Sequence, residues 1–266
     1  MSAATHTLDR SPAWVVQPGA LRRFGAVFVA GGFAGMIAGG LGSRLAMRIA
    51  ALAAPEAIQG FPTEAGARIG EITLEGTLFL ILFAGIGSAV IGGAFYLLVR
   101  SWLPRRRWLR AIAFGGLELV VFGTTVLDAG NADFTILGHP LLNVAVFSSL
   151  FVLHGALLVL LVEPSGRLVA AVAGDARWRG VVVNVAAVGA ALVTATAIVG
   201  LGALVGWLSP LVVALAVGGV GLAVVDPGRA RPLTRPLLTL VGGVALALLA
   251  VGGTVQVFDE LRTILG

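Results

Sequence analysis

Runs of about twenty apolar residues, the length a helix needs to cross a bilayer, recur along almost the whole chain. Short segments rich in arginine, glycine and proline separate them. The pattern predicts an all-α, polytopic transmembrane helical bundle of about seven spans: 24–47, 76–99, 111–127, 141–162, 181–207, 211–225 and 237–258. Residues 1–23 read as a cytoplasmic N-terminal segment and 259–266 as a short C-terminal tail. The third span is short and contains Glu118. The fifth and sixth come from one long apolar stretch, divided at "GWLSP" (206–210) because glycine, serine and proline together signal a turn. Without that turn the count is six.

Charge then orients the bundle. All 18 basic residues are arginine, and 14 of them fall in the N-terminal segment and in alternate loops. Cytoplasmic loops carry the excess of positive charge, so the N-terminus is expected inside and the C-terminus outside. Arg44, Arg48, Arg68 and Arg262 are left on the outer side.

Composition agrees with the pattern. The chain is 58% hydrophobic and only 12% charged, about half the charge of a soluble domain, with a mean hydropathy of +1.01. The basic balance does not imply nucleic acid, because the arginines sit in short loops as orientation signals rather than on one face. Zero cysteines exclude disulfides, thiolate metal sites and cysteine nucleophiles. The first apolar run has the look of a signal sequence cleaved near Gly39 or Gly40. However, Gly31, Gly35 and Gly39 recur every four residues, as in a helix that packs closely on another, so the run is read as a retained span. Gly85, Ala89 and Gly93 repeat the spacing in the second span, and Gly202 and Gly206 in the fifth.

Two sets of residues stand out against this background. Arg44 and Arg48 lie one turn apart at the outer end of the first span, and Glu71 and Glu75 lie one turn apart near the start of the second. Paired guanidinium and carboxylate groups can form a ladder of ion pairs that staples the two helices. The same arginines are alternatively a clamp for an anion or a lipid phosphate. Glu118 is the sharper anomaly. It lies eight residues past Arg110, about 12 Å deep at about 1.5 Å per residue. His154 lies nine residues before Glu163, at nearly the same depth from the same side. Intramembrane carboxylates face the bundle interior or a water-filled path, so Glu118 and His154 are expected to pair, as a structural link or as a proton relay.

Other polar groups carry less. Thr124, Thr125, Asn143, Ser148, Ser149, Asn184, Thr194 and Thr196 can line a path, but they more readily bond across helices or to their own backbone. The loop "DAGNADFTILGHP" gathers Asp128, Asn131, Asp133 and His139 without the calcium-loop spacing, and reads as a capped turn. Trp102 and Trp108 read as interfacial anchors. No nucleophile elbow, P-loop, zinc helix or dinucleotide fingerprint occurs.

The stretches "GGLGSRLAMRIAALAAP", "TLEGTLFLILFAGIGSAVIGG" and "GHPLLNVAVF" resemble a recurring type of small polytopic membrane protein of GC-rich bacteria, itself functionally uncharacterised. The resemblance covers about residues 30–150 and rests on Gly/Arg spacing. It implies an integral membrane location and carries over no site residue. The sequence therefore leads to a non-enzymatic protein of the cytoplasmic membrane, a small transporter or permease-like protein. The competing class is an accessory subunit of a larger complex. No cofactor, metal or nucleic acid is expected; the partners are the lipid bilayer and either a membrane protein or a second copy of the chain. A cavity reaching Glu118 would favour transport, and a dry bundle with a small-residue outer face would favour the accessory role.

Overall fold

The structure, a computed structural model, describes residues 18–63, 66, 68–131, 133–137, 139–172, 206, 209–224 and 234–266. The fifth span, 181–207, lies almost wholly outside the described residues, and with it the Gly202 spacing, Asn184, Thr194 and Thr196. Among the described residues every long element is a helix, and the only bridge between extended residues joins Pro62 and Arg68.

The elements are α1 (Pro18–Ala34), α2 (Ser43–Ala53), α3 (Leu74–Leu80), α4 (Ile86–Val99), α5 (Arg107–Phe122), α6 (Asp133–Ile136), α7 (Pro140–Val172), α8 (Ser209–Val224) and α9 (Thr234–Leu265). π-Helical segments at Gly35–Gly42 and Ile81–Gly85 join α1 to α2 and α3 to α4, so each pair runs on without a loop. Four helical stretches are long and apolar enough to cross a membrane: Arg23–Ala53, Arg107–Thr125, Pro140–Ala171 and Pro236–Leu265. Ile86–Val99 is a shorter apolar helix.

Several boundaries differ from those the sequence suggests. The first helix continues past 47 to Ala53, where Pro55 follows and the chain turns extended. The fourth continues past 162 to Val172, with Pro164 inside it. Proline removes one backbone donor without forbidding the helix on either side, and Arg167 bridges back to Glu163 at 2.8 Å across that turn. Residues 259–265, read from sequence as a tail, belong to α9.

Helix α1 packs on α4 and α7, α5 on α7, and α9 on α5 and α8. Between helices in lipid the apolar driving force is absent, and close approach through small residues takes its place. The two ladders of the sequence meet here. A Cβ added at Gly31 would stand 2.9 Å from the Ala89 carbonyl oxygen, and one added at Gly35 would run into the carbonyl of Gly85. One π-helical segment begins and the other ends where this contact is tightest, and π-bulges often mark functional stretches of a helix. Gly35→Ala is expected to lower stability by about 1–3 kcal/mol, the usual cost of overpacking. A melting temperature unchanged from wild type would contradict that contact.

An aromatic block lies between α4 and α5. Phe95 stacks tilted on Phe114 at 5.8 Å and meets Phe122 edge-on at 5.2 Å, while Tyr96 meets Phe114 edge-on at 5.1 Å. All four rings are buried, together with Val27, Leu158, Leu215 and Leu249. Trp102 belongs to this packing more than to an interface. Its Nε1 donates to the Thr239 carbonyl at 2.9 Å, and its ring fills the space that a side chain at Gly242 would need. Trp108 stays exposed, as an interfacial anchor would.

Candidate functional site

Glu118 of α5 and His154 of α7 face one another, with His154 Nδ1 2.8 Å from Glu118 Oε2. The carboxylate is 2% exposed and the imidazole 6%, so neither group has bulk water to offset its polarity. The close approach is built from glycine. A Cβ at Gly115 would meet the Val152 backbone, and one at Gly155 would stand 2.6 Å from the Gly115 Cα. These two glycines let α5 and α7 touch backbone to backbone, and the polar pair fits the gap beside them. On the third side is Gly92 of α4, whose missing Cβ would lie 2.5 Å from His154 Cε1 and 2.7 Å from Glu118 Oε1. The glycines of this cage were not singled out in the sequence, because their role depends on which helix faces which.

One hydrogen bond does not satisfy the pair. Glu118 Oε1 and His154 Nε2 are buried and have no hydrogen-bond partner among the described residues, whereas buried polar atoms are nearly always paired. Both residues line a cavity of about 500 Å³ whose other walls are largely apolar, including Ile91, Phe122, Leu150 and Phe151. Among the described lining residues, Glu118 and His154 are the only titratable groups. Thr125 also lines it, but its hydroxyl is bonded to the Phe122 carbonyl at 2.6 Å, within its own helix turn.

The two outer arginines take a different arrangement from the expected ladder. Arg44 donates from Nε to the Thr77 hydroxyl at 3.0 Å and from Nη2 to the Thr73 carbonyl at 3.1 Å. Arg48 donates from Nη1 to the Gly70 carbonyl at 3.1 Å. Neither has a carboxylate of a described residue within 4 Å, since the ion pairs among those residues are Glu118–His154 and Glu163–Arg167. The arginines do staple the first hairpin, but through backbone and hydroxyl oxygens. Gly70 sits at φ +86°, a conformation that suits glycine, in the turn that offers Arg48 its carbonyl. Glu75 is exposed in the first turn of α3, where the helix dipole favours an acid. Glu71 is exposed at the rim of an outer cleft.

That cleft has a volume of about 320 Å³ and is lined by Arg44, Arg48, Arg68, Asp128, Asp133 and Asn143, among others. It shares Met47, Thr125, Val126 and Phe147 with the neighbouring cavity, so these four side chains stand where the two adjoin. Asn143 is 1% exposed and both of its amide atoms lack a partner among the described residues. The loop beside it is a capped turn: Asp128 Oδ1 accepts from the Gly130 N–H and Asn131 Oδ1 from the Asp133 N–H, each at 2.8 Å. Among the described residues no cluster of three or more His, Asp or Glu forms a metal site.

A separate cleft contains Arg23, Arg100, Arg110 and Glu163 and shares no lining residue with the other two. Burial, with the Arg23 guanidinium second, lowers Arg100 below the ordinary arginine value. Tyr96, which also lines this cleft, meets Phe114 edge-on, and Phe122 of the same aromatic block lines the Glu118 cavity. Residues assigned to the two sides of a membrane by arginine counting are thus gathered in different clefts.

No protein-family model matches the chain, and no curated protein and no solved structure does.

Proposed function

We propose that this chain is a multi-pass protein of the cytoplasmic membrane, with its N-terminus inside, that works as a small proton-linked transporter. Glu118 and His154 are its proton-binding pair. The observation that carries this reading is the cavity of about 500 Å³ lined by both members of the pair, which adjoins the outer cleft at Thr125 and Phe147. A link that served only to hold helices together needs no such cavity. An ionisable pair in a cavity that adjoins one cleft and shares no lining residue with the other fits an alternating-access site. The closing element is the block of Phe95, Phe114, Phe122 and Tyr96.

The test uses the purified chain in liposomes with an imposed pH gradient and an internal pH-sensitive dye. Wild type is expected to carry protons, and Glu118→Gln, which keeps size and hydrogen-bonding capacity, is expected to insert normally and fall to the rate of empty liposomes. Flux retained by Glu118→Gln would end this reading.

Orientation has its own test. Reporter fusions after Arg107 and Arg231 are expected to behave as cytoplasmic, and fusions after Gly130 and Ser209 as exported, because arginine is retained on the inner side. A cytoplasmic signal at Ser209 would remove the 206–210 turn and reduce the spans to six.

A further inference from the structure

We propose that the cavity above Glu118 and His154 takes a hydrophobic amine, whose charged nitrogen competes with the proton for the single negative charge of the pair. This inference rests on the proton-linked reading and adds to it the chemical class of the substrate.

The argument starts from a charge count. With one proton shared between them, Glu118 and His154 carry a net charge of −1. His154 Nδ1–H then donates to Glu118 Oε2, and both unpartnered atoms, Oε1 and Nε2, are acceptors. In that state the site needs positive charge and an N–H donor. With a second proton the pair is neutral overall and Nε2 becomes a donor, so the demand for a cation disappears. An occupant bearing one ammonium and one further proton on the pair are therefore alternatives, which is the exclusion that exchange of one for the other requires.

No neighbouring charge disturbs this count. From α4 the nearest titratable group is Tyr96, turned into the aromatic block. On α5 it is Arg110, on α7 Glu163 and on α1 Arg23, all at the opposite cleft. Helix α8 has no titratable residue, and those of α9 within its apolar stretch, Asp259, Glu260 and Arg262, lie at its far end, where Glu260 accepts from the Ala129 N–H. Helix α2 lines the cavity through Ser43 and Met47 and carries Arg44 and Arg48, whose guanidinium groups are turned to the oxygens of Thr73, Thr77 and Gly70. Among the described residues no arginine forms an ion pair with Glu118.

The walls select the rest of the molecule. About 500 Å³ lies within the usual range for small-molecule sites. A sugar or peptide would leave most of its hydrogen bonds unmet against Ile91, Leu150 and Phe151. An anion would meet the ionised carboxylate with like charge. An apolar body with a single protonated nitrogen satisfies both the walls and the pair.

The experiment measures binding rather than transport. Tributylamine is titrated calorimetrically into the full chain in detergent micelles, with tetrabutylammonium as the comparison that has the charge but no N–H. Tributylamine is expected to bind at about pH 8.5 and to weaken by about tenfold for each pH unit once the second proton is bound. It is expected to lose all specific heat in Glu118→Gln, with tetrabutylammonium clearly weaker. His154→Gln keeps a buried amide partner for Glu118 and serves as the second variant if Glu118→Gln does not fold; it is expected to bind the amine without the same pH dependence. Equal binding by wild type and Glu118→Gln, or binding that ignores pH in wild type, overturns the inference. If the amine fails to bind while Glu118-dependent proton flux persists in liposomes, the substrate class is wrong and the proton-linked reading stands. If both are absent, both fall.

Discussion

His154→Ala is expected to lower the stability of the folded protein by about 3–5 kcal/mol, the cost of removing one partner from a buried ionic pair. The reason is the partner left behind. Glu118 is 2% exposed, and His154 Nδ1 supplies its only side-chain hydrogen bond among the described residues. The neighbours that remain are the backbones of Gly92, Gly115 and Gly155, which crowd it without offering a side chain. Adding Glu118→Leu to His154→Ala is expected to recover most of that loss, because replacing both members of a buried pair by apolar groups is often neutral or stabilising. The measurement is a double-mutant cycle on the melting temperature in detergent. Losses that simply add would mean that the two groups are not coupled, although they stand well inside the range at which coupled neighbours depart from additivity.

The position of this pair was legible because helix rise is constant. Counting eight residues from Arg110 and nine back from Glu163 fixes depth along two antiparallel spans without knowledge of the fold. Counting does not fix rotation about each helix axis, and rotation decides whether two residues at one depth meet. In this chain Gly115 and Gly155 decide it, by allowing α5 and α7 to touch on that face. The glycine ladders of the first two spans were legible for a related reason: their four-residue spacing marks a face whatever it packs against, and each turned out to face the other.

The outer arginines show the opposite case. Their expected partners were carboxylates, because only side chains leave a residue-type signal. The acceptors are instead the carbonyls of Thr73 and Gly70 and the hydroxyl of Thr77. Every residue has a carbonyl, so its availability comes from the extended turn before α3 and not from any letter in the sequence. The continuation of α7 through Pro164 was hidden for a local reason. "EPSG" has the composition of a break, and the Glu163–Arg167 pair spans it once the helix is formed.

Gly92→Ala and Gly155→Ala are expected to separate function from folding. Both add one methyl group beside the same pair, but the atoms they meet differ. At Gly155 the methyl would lie 2.6 Å from the Gly115 Cα and 2.8 Å from its backbone nitrogen. Backbone cannot yield without moving a helix, so α5 and α7 must part, and the loss is expected at or above the upper end of the 1–3 kcal/mol typical of overpacking. At Gly92 the methyl meets only side-chain atoms, His154 Cε1 at 2.5 Å and Glu118 Oε1 at 2.7 Å. The imidazole and carboxylate can swing away at lower cost, and the protein is expected to accumulate near the wild-type level. Their displacement would lengthen the 2.8 Å bond and turn both groups from the cavity, so proton flux in liposomes is expected to fall as far as in Glu118→Gln. Flux retained by well-folded Gly92→Ala would show that the geometry of the pair, as distinct from its presence, does not matter to the activity. The decisive result is therefore a folded Gly92→Ala without flux beside a Gly155→Ala that fails to accumulate.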